Sequence, residues 1–131
     1  MTLKVTDINA LKKIAEGEVV ELPGFSETPF IARLRQPSLV GLVASGKIPN
    51  HLMGIATALF NNDTKRLEKE LDGEKGVRGM HEMMTIMAEN CLIEPTLADI
   101  KEAGVELTDI QLTAIFNYSQ RGAKVLEQFR I

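Results

Sequence analysis

The side chains best suited to metal binding or nucleophilic catalysis in this 131-residue chain are two histidines and one cysteine. His81-Glu82 resembles the start of the zinc-protease motif, but the second histidine that the motif needs is replaced by Thr85. His51 belongs to a different segment. Cys91 lies near the C-terminal end of a predicted helix, where the helix dipole does not favour a thiolate. We therefore predict no metal site, no catalytic residue and no cofactor.

Two further groups could bind anions. Gly46-Lys47 is followed by Ile48, so the hydroxyl residue that completes a phosphate-binding loop is missing. Arg33 and Arg35 are predicted to share one face of a strand, where they could bind an anion or an acidic partner. The same spacing is typical of the exposed side of a half-buried strand, and we favour that interpretation.

A cluster of methionines is the most informative pattern in the sequence. Four of the six methionines fall within eight residues, at positions 80, 83, 84 and 87. Methionine is unbranched and polarisable, so a methionine-rich face adapts to many apolar shapes. The cluster is either the core side of a central helix or a partner-binding face, and one helix can serve both roles. The candidate partner-binding residues are Met80, Met83, Met84, Met87 and Ile86.

Helices are predicted around this cluster. The methionines belong to a regular apolar pattern over residues 77–93, which Glu94-Pro95 ends. Other helices are predicted to begin at Thr6, near Pro37, at Asn50, at Thr96 and at Thr108, where Gln111 completes a capping box. The first helix has an apolar face and needs tertiary packing because it is short. Apolar residues expected on two helix faces are Ile8, Leu11, Ile14 and Ala15 in the first helix, and Ile110, Ala114, Ile115, Tyr118, Gly122, Val125, Leu126 and Phe129 in the last.

Between the first two helices the hydrophobic period changes. Residues 18–22 and 30–35 are short and rich in β-branched or alternating apolar residues, and a loop with Pro23-Gly24 and Thr28-Pro29 separates them. We predict a mainly α fold (α+β) of about five helices with an N-terminal β-hairpin. One domain is expected over residues 1–131, with the first helix and hairpin at 6–35 and a helical part at 37–130. Mixed charges at 61–76 predict a connector, with a mobile loop at 72–76.

Composition excludes several classes of protein. The net charge of −3 argues against a general nucleic-acid binder. A DNA-binding regulator is also disfavoured, because Arg121, Lys124 and Arg130 come late in the last helix. No run of about 18 apolar residues is present, so we expect no membrane association, and the N-terminus does not resemble a secretion signal. The apolar excess over residues 39–60 makes a homo-oligomer plausible.

Several short segments occur together in a familiar order. They are ELPGF (21–25) and PFIARLR (29–35), PSL (37–39) and SGKIPN (45–50), and EPT (94–96), LTDIQL (107–112) and IFNYSQRG (115–122). Over residues 18–130 the chain resembles the small tail assembly chaperones encoded by phages and prophages of Gram-positive bacteria. The resemblance supplies no residue-level binding motif, so the candidate binding residues remain those of the methionine cluster.

The resemblance implies a non-enzymatic role in the cytoplasm of the bacterial host. Such chaperones coat the long, largely helical tape measure protein until the tail tube assembles around it. The implied partners are therefore the tape measure protein and, as a second candidate, the tail tube protein. One alternative is a structural tail or connector protein that stays in the virion. Another is a small enzyme or regulator that uses His51, His81 or Cys91.

Overall fold

The structure is a computed structural model that describes residues 3–121. These residues form seven α-helices and a three-stranded antiparallel sheet, which confirms a mainly α fold with an N-terminal β-hairpin. A 3-10 turn at Asn50–Leu52 leads into the third helix. The elements are α1 Ile8–Ala15, β1 Glu18–Phe25, β2 Thr28–Leu34, α2 Leu39–Ala44, α3 Met53–Phe60, α4 Thr64–Glu70, α5 Gly73–Cys91, β3 Leu92–Glu94, α6 Leu97–Glu102 and α7 Asp109–Arg121.

The sheet buries one of its two faces. β1 and β2 pair antiparallel, with Glu18 opposite Leu34 and Leu22 opposite Phe30. Because successive side chains of a strand point to opposite faces, one set packs inward and the other faces outward. α7 packs against β1 on the inner side. The buried residues of the hairpin are Val20, Leu22, Phe30, Ala32 and Leu34.

The third strand was not predicted. The apolar pattern indicated a helix through Ile93, but α5 ends at Cys91 and Leu92 pairs with Leu34 of β2. The backbone N–H of Arg35 also donates to the Cys91 carbonyl at 2.9 Å. Pairing with a distant strand therefore overrides the local helical pattern, which a periodicity argument cannot detect.

Two apolar clusters form the core. The first lies between the sheet, α6 and α7 and contains Leu34, Cys91 and Ile115 among others. The second joins the segment of α2 and α3 to α5, and Phe116 of α7 closes it. Met84 packs against both clusters. The centre of α5 therefore links the two parts of the core.

The predicted caps of the later helices are confirmed. Thr96 and Asp99 form a capping box at the start of α6, in which each side chain accepts a hydrogen bond from the other residue's backbone. Thr108 and Gln111 do the same at α7, with distances of 2.9 and 3.2 Å. Such boxes satisfy backbone donors that helix formation leaves without partners.

The start of the first helix differs from the prediction. Asp7, not Thr6, caps α1, and its Oδ1 accepts from the backbone N–H of Asn9 at 3.4 Å. α1 ends before Gly17, whose φ is +86°. Gly17 is also tightly packed, because a Cβ there would lie 2.6 Å from the Leu34 carbonyl oxygen.

The predicted packing of α1 is wrong. Its apolar face was expected to lie against other elements, but no residue of α1 is buried. The three largest side chains, Ile8, Leu11 and Ile14, are 62%, 47% and 69% exposed. In the last helix Ile110 is also exposed, whereas Ala114, Ile115 and Tyr118 are buried as expected. Gly122, Val125, Leu126 and Phe129 lie outside the described residues.

The charged stretch at 61–76 is mostly helical. Asp63 caps α4 by accepting from the backbone N–H of Arg66 at 3.1 Å. The mobile loop predicted at 72–76 is wrong, since α5 begins at Gly73. Gly76 is buried, and a Cβ at that position would overlap the Leu71 backbone. The glycines therefore permit a tight α4–α5 turn.

In the part of the chain that the structure describes, no helix combines the length and apolar character needed to cross a bilayer.

Candidate functional site

A partly apolar groove lies between α5 and the first turns of α7. We name it the α5–α7 groove, and its volume is about 390 Å³. Most of its apolar wall is formed by side chains that are partly or largely accessible, including Val77, which is 67% exposed, whereas Leu112 is buried. The apolar lining residues are Leu71, Val77, Met80, Met84 and Leu112, and the polar ones are His81, Asp109 and Thr113.

The predicted methionine site is divided by the structure. Met80 and Met84 line the groove and remain candidates for partner binding. Met83 and Met87 have 0% exposure and belong to the second core cluster, so their assignment to a binding surface is corrected. They lie beside Met80 and Met84 on the same broad face of α5 and pack with residues of α2, α3 and Phe116. Ile86 is partly buried, packs against the same cluster and does not line the groove.

The groove continues towards α6. A neighbouring depression of about 680 Å³ shares His81 and Leu112 with it and extends past Thr85 to Lys101 and Glu106. Thr85 donates its hydroxyl to the His81 carbonyl at 2.8 Å, so that hydroxyl is held within α5. The part between α5 and α7 is mainly apolar, whereas the part towards α6 has both positive and negative side chains at its rim.

A buried glutamine positions the α7 wall of the groove. Gln111 has 0% exposure, and its Nε2 donates to the carbonyl oxygens of Pro23 at 2.9 Å and Gly24 at 3.3 Å. Its Oε1 accepts from the Thr108 N–H at the start of α7. One side chain thus fixes the first turn of α7 to the tip of the hairpin. Sequence reasoning identified the cap but missed the second contact, because no local pattern reports a partner 88 residues away.

Tyr118 joins the other end of α7 to the sheet. It is buried, and its hydroxyl donates to Glu18 Oε1 at 3.0 Å. Burial, followed by this hydrogen bond and the negative charge of Glu18, raises the pKa of Tyr118 above its usual value. The phenol therefore stays protonated and acts as a donor that ties α7 to the first residue of β1.

The reactive side chains considered at the sequence level do not meet. His51 Nε2 lies 2.9 Å from Glu82 Oε2 on an exposed surface, whereas His81 lines the α5–α7 groove. Cys91 is buried, and burial raises the pKa of its thiol to about 12. Within residues 3–121 no group of three or more histidine, cysteine, aspartate or glutamate side chains could hold a metal ion.

The two arginines have different environments. Arg35 is exposed, and its Nε donates to the Asn90 carbonyl at 3.0 Å, so it supports the junction of β2 and α5. Arg33 pairs across the sheet with Val19 and Glu94 and is partly buried. This arrangement is typical of the outer face of a half-buried sheet.

Comparisons of the chain with protein-family models, with curated proteins and with solved structures found no match.

Proposed function

We propose that this protein is a phage tail assembly chaperone that binds helical segments of the tape measure protein in its α5–α7 groove. The observation that carries the proposal is the accessible apolar wall of the groove, with Val77, Met80 and Met84 along one helix. Positions 77, 80 and 84 are spaced by three and four residues and therefore form one stripe. An amphipathic helix laid beside this stripe buries its own apolar face.

The chemistry of the groove suits a client with many similar segments. A tape measure helix exposes apolar stripes before assembly, and such stripes aggregate in water. Met80 and Met84 each have several rotatable bonds, so their side chains adjust to different apolar partners. Affinity then comes from apolar burial with little sequence selectivity. Weak binding at each segment, repeated along the client, covers it and still allows the tail tube subunits to displace the chaperone.

The fold supports a site of this kind through rigidity behind the wall. Met83 and Met87, which neighbour the stripe on α5, are fully buried, and Gln111 holds the first turn of α7. The flexible methionines therefore project from a fixed helix. A preorganised backbone lowers the entropy cost of binding, while the mobile side chains preserve tolerance for different segments.

Co-expression with the tape measure protein encoded in the same genome tests the proposal. The groove variant is Val77→Asp, and the matched control is Val40→Asp on α2, where the side chain is also exposed. A charge inside the groove should lower affinity at least about 10- to 100-fold, because burying even a neutral unpaired polar group costs about 1–3 kcal/mol and a carboxylate costs more. We expect the soluble fraction of tape measure protein to fall with Val77→Asp and to be unchanged with Val40→Asp.

Equal solubility of the client with both variants would contradict the groove as the binding site. Mass spectrometry of purified particles separates the chaperone from a structural tail or connector protein. A chaperone should be absent or scarce in mature virions, whereas a structural protein should be recovered in a fixed ratio to the tail tube.

A further inference from the structure

The exposed helix α1 has an apolar face and no partner among the described residues. Its eight residues are too few for a stable helix in water without packing. Leu3 and Val5, just before it, are also largely exposed. An apolar helix and an apolar groove on one molecule present complementary surfaces. We propose that α1 of one copy packs into the α5–α7 groove of a second copy.

The position of α1 favours contact with the groove of a second copy and not with the groove of its own chain. Lys13 and Ile14 line a cleft together with Tyr118, near the C-terminal end of the described part of α7. The groove lies beside Asp109 and Thr113, nine and five residues earlier, which is about 14 and 8 Å along a helix axis. Glu16 and Gly17 alone connect α1 to β1. Gly17 is packed against the Leu34 carbonyl, so this short connection holds α1 away from its own groove.

Charge favours the same contact. Residues 1–17 contain three lysines and two acids, a net charge of +1, so residues 18–131 carry −4 of the chain's total of −3. At 100° per residue, Lys12 lies on one border of the apolar face formed by Ile8, Leu11 and Ile14. Asp109 lines the part of the groove between α5 and α7, and among the described residues no lysine or arginine does so. An apolar helix face with a lysine at its border therefore meets an apolar groove with Asp109 at its rim.

The contact joins different surfaces of the two copies. Each molecule offers one α1 and one groove, so association is head-to-tail and can continue beyond two copies. In the absence of a client, α1 of a neighbour covers the groove and the groove covers α1. A client helix competes for the same surface and releases α1. This competition rests on the proposed function, but self-association itself can be measured without any client.

A complementation experiment tests the pairing. Leu11→Asp disables α1, Val77→Asp disables the groove, and Val40→Asp is the control; all three positions are exposed, so the folded state is preserved. Circular dichroism and urea unfolding verify this. Sedimentation velocity should show that the weight-average mass of the wild type and of Val40→Asp rises with concentration. Each of the other two variants alone should remain monomeric.

An equimolar mixture of Leu11→Asp and Val77→Asp tests whether α1 of one copy contacts the groove of another. The first variant keeps an intact groove and the second an intact α1, so the mixture should form a heterodimer that does not grow further. A mixture that stays monomeric, or a Val77→Asp protein that associates as the wild type does, would overturn the α1–groove contact. So would a wild type that is monomeric up to its solubility limit. These results would leave client binding, measured by tape measure solubility, as a separate question.

Discussion

Gln111 performs two structural roles with one side chain. It completes the cap of α7 and donates two hydrogen bonds to the hairpin carbonyls of Pro23 and Gly24. A buried amide can do this because it carries both an acceptor and two donors. The position therefore accepts neither a purely apolar residue nor a carboxylate without loss of stability.

Substitution of Gln111 tests these roles. Gln111→Ala should lower the free energy of unfolding by about 2–4 kcal/mol, since the cap is lost and the buried Pro23 carbonyl loses its donor. Gln111→Glu should cost more at pH 7, because a carboxylate then faces two carbonyl oxygens. Lowering the pH should narrow the gap between the two variants, since the protonated acid can again donate. Urea unfolding at pH 7 and pH 5 measures this, and a Glu variant as stable as the wild type would contradict the network.

Cys91 gives a second prediction about a single residue. Burial raises the pKa of its thiol from 9.0 to about 12, so the folded protein keeps the thiol protonated at pH 8. Reaction with a disulfide reagent should be at least about 100-fold slower in the folded protein than in urea, because only unfolding or local opening exposes the sulfur. The unfolded chain loses this proton first, so the stability contributed by Cys91 should fall as pH rises from 9.0 to about 12. Rapid stoichiometric labelling at pH 8 would contradict this account.

The elements differ in how far local sequence determined them. The caps at Thr96 and Thr108 and the hairpin follow from residue types a few positions apart, and the structure has them. β3 and the burial of the methionines depend on contacts with distant segments. Periodicity placed Met80, Met83, Met84 and Met87 on one broad apolar face of a helix. It could not say which part of that face is buried and which part is accessible. The groove also needed α7, whose position relative to α5 no spacing reveals.

Helix α1 is the clearest departure from expectation, and its contribution to stability can be measured. Leu11→Ala should change the free energy of unfolding by less than about 0.5 kcal/mol in the monomer, because no residue of α1 is buried. Ile115→Ala, at a fully buried position of α7, should cost about 2–5 kcal/mol. Dilute samples in urea keep self-association out of the comparison. A large loss for Leu11→Ala would mean that α1 packs against its own chain.

In the whole molecule, two apolar clusters meet at α5, and the groove lies where these clusters cover α5 only in part. Met84 contributes to both clusters and also lines the groove. Occupation of the groove would therefore complete apolar packing that the isolated molecule leaves open. We propose that another apolar helix supplies this packing, with no covalent chemistry.

Site-specific photo-cross-linking tests whether a client helix contacts the groove. A photoreactive residue is placed at Val77, or at Val40 as the control, in cells that produce the tape measure protein of the same genome. We expect a covalent product with the tape measure protein from position 77 and none from position 40, and mass spectrometry should locate the cross-link in helical client segments. A product from position 40 alone, or no client product from position 77, would contradict the claim.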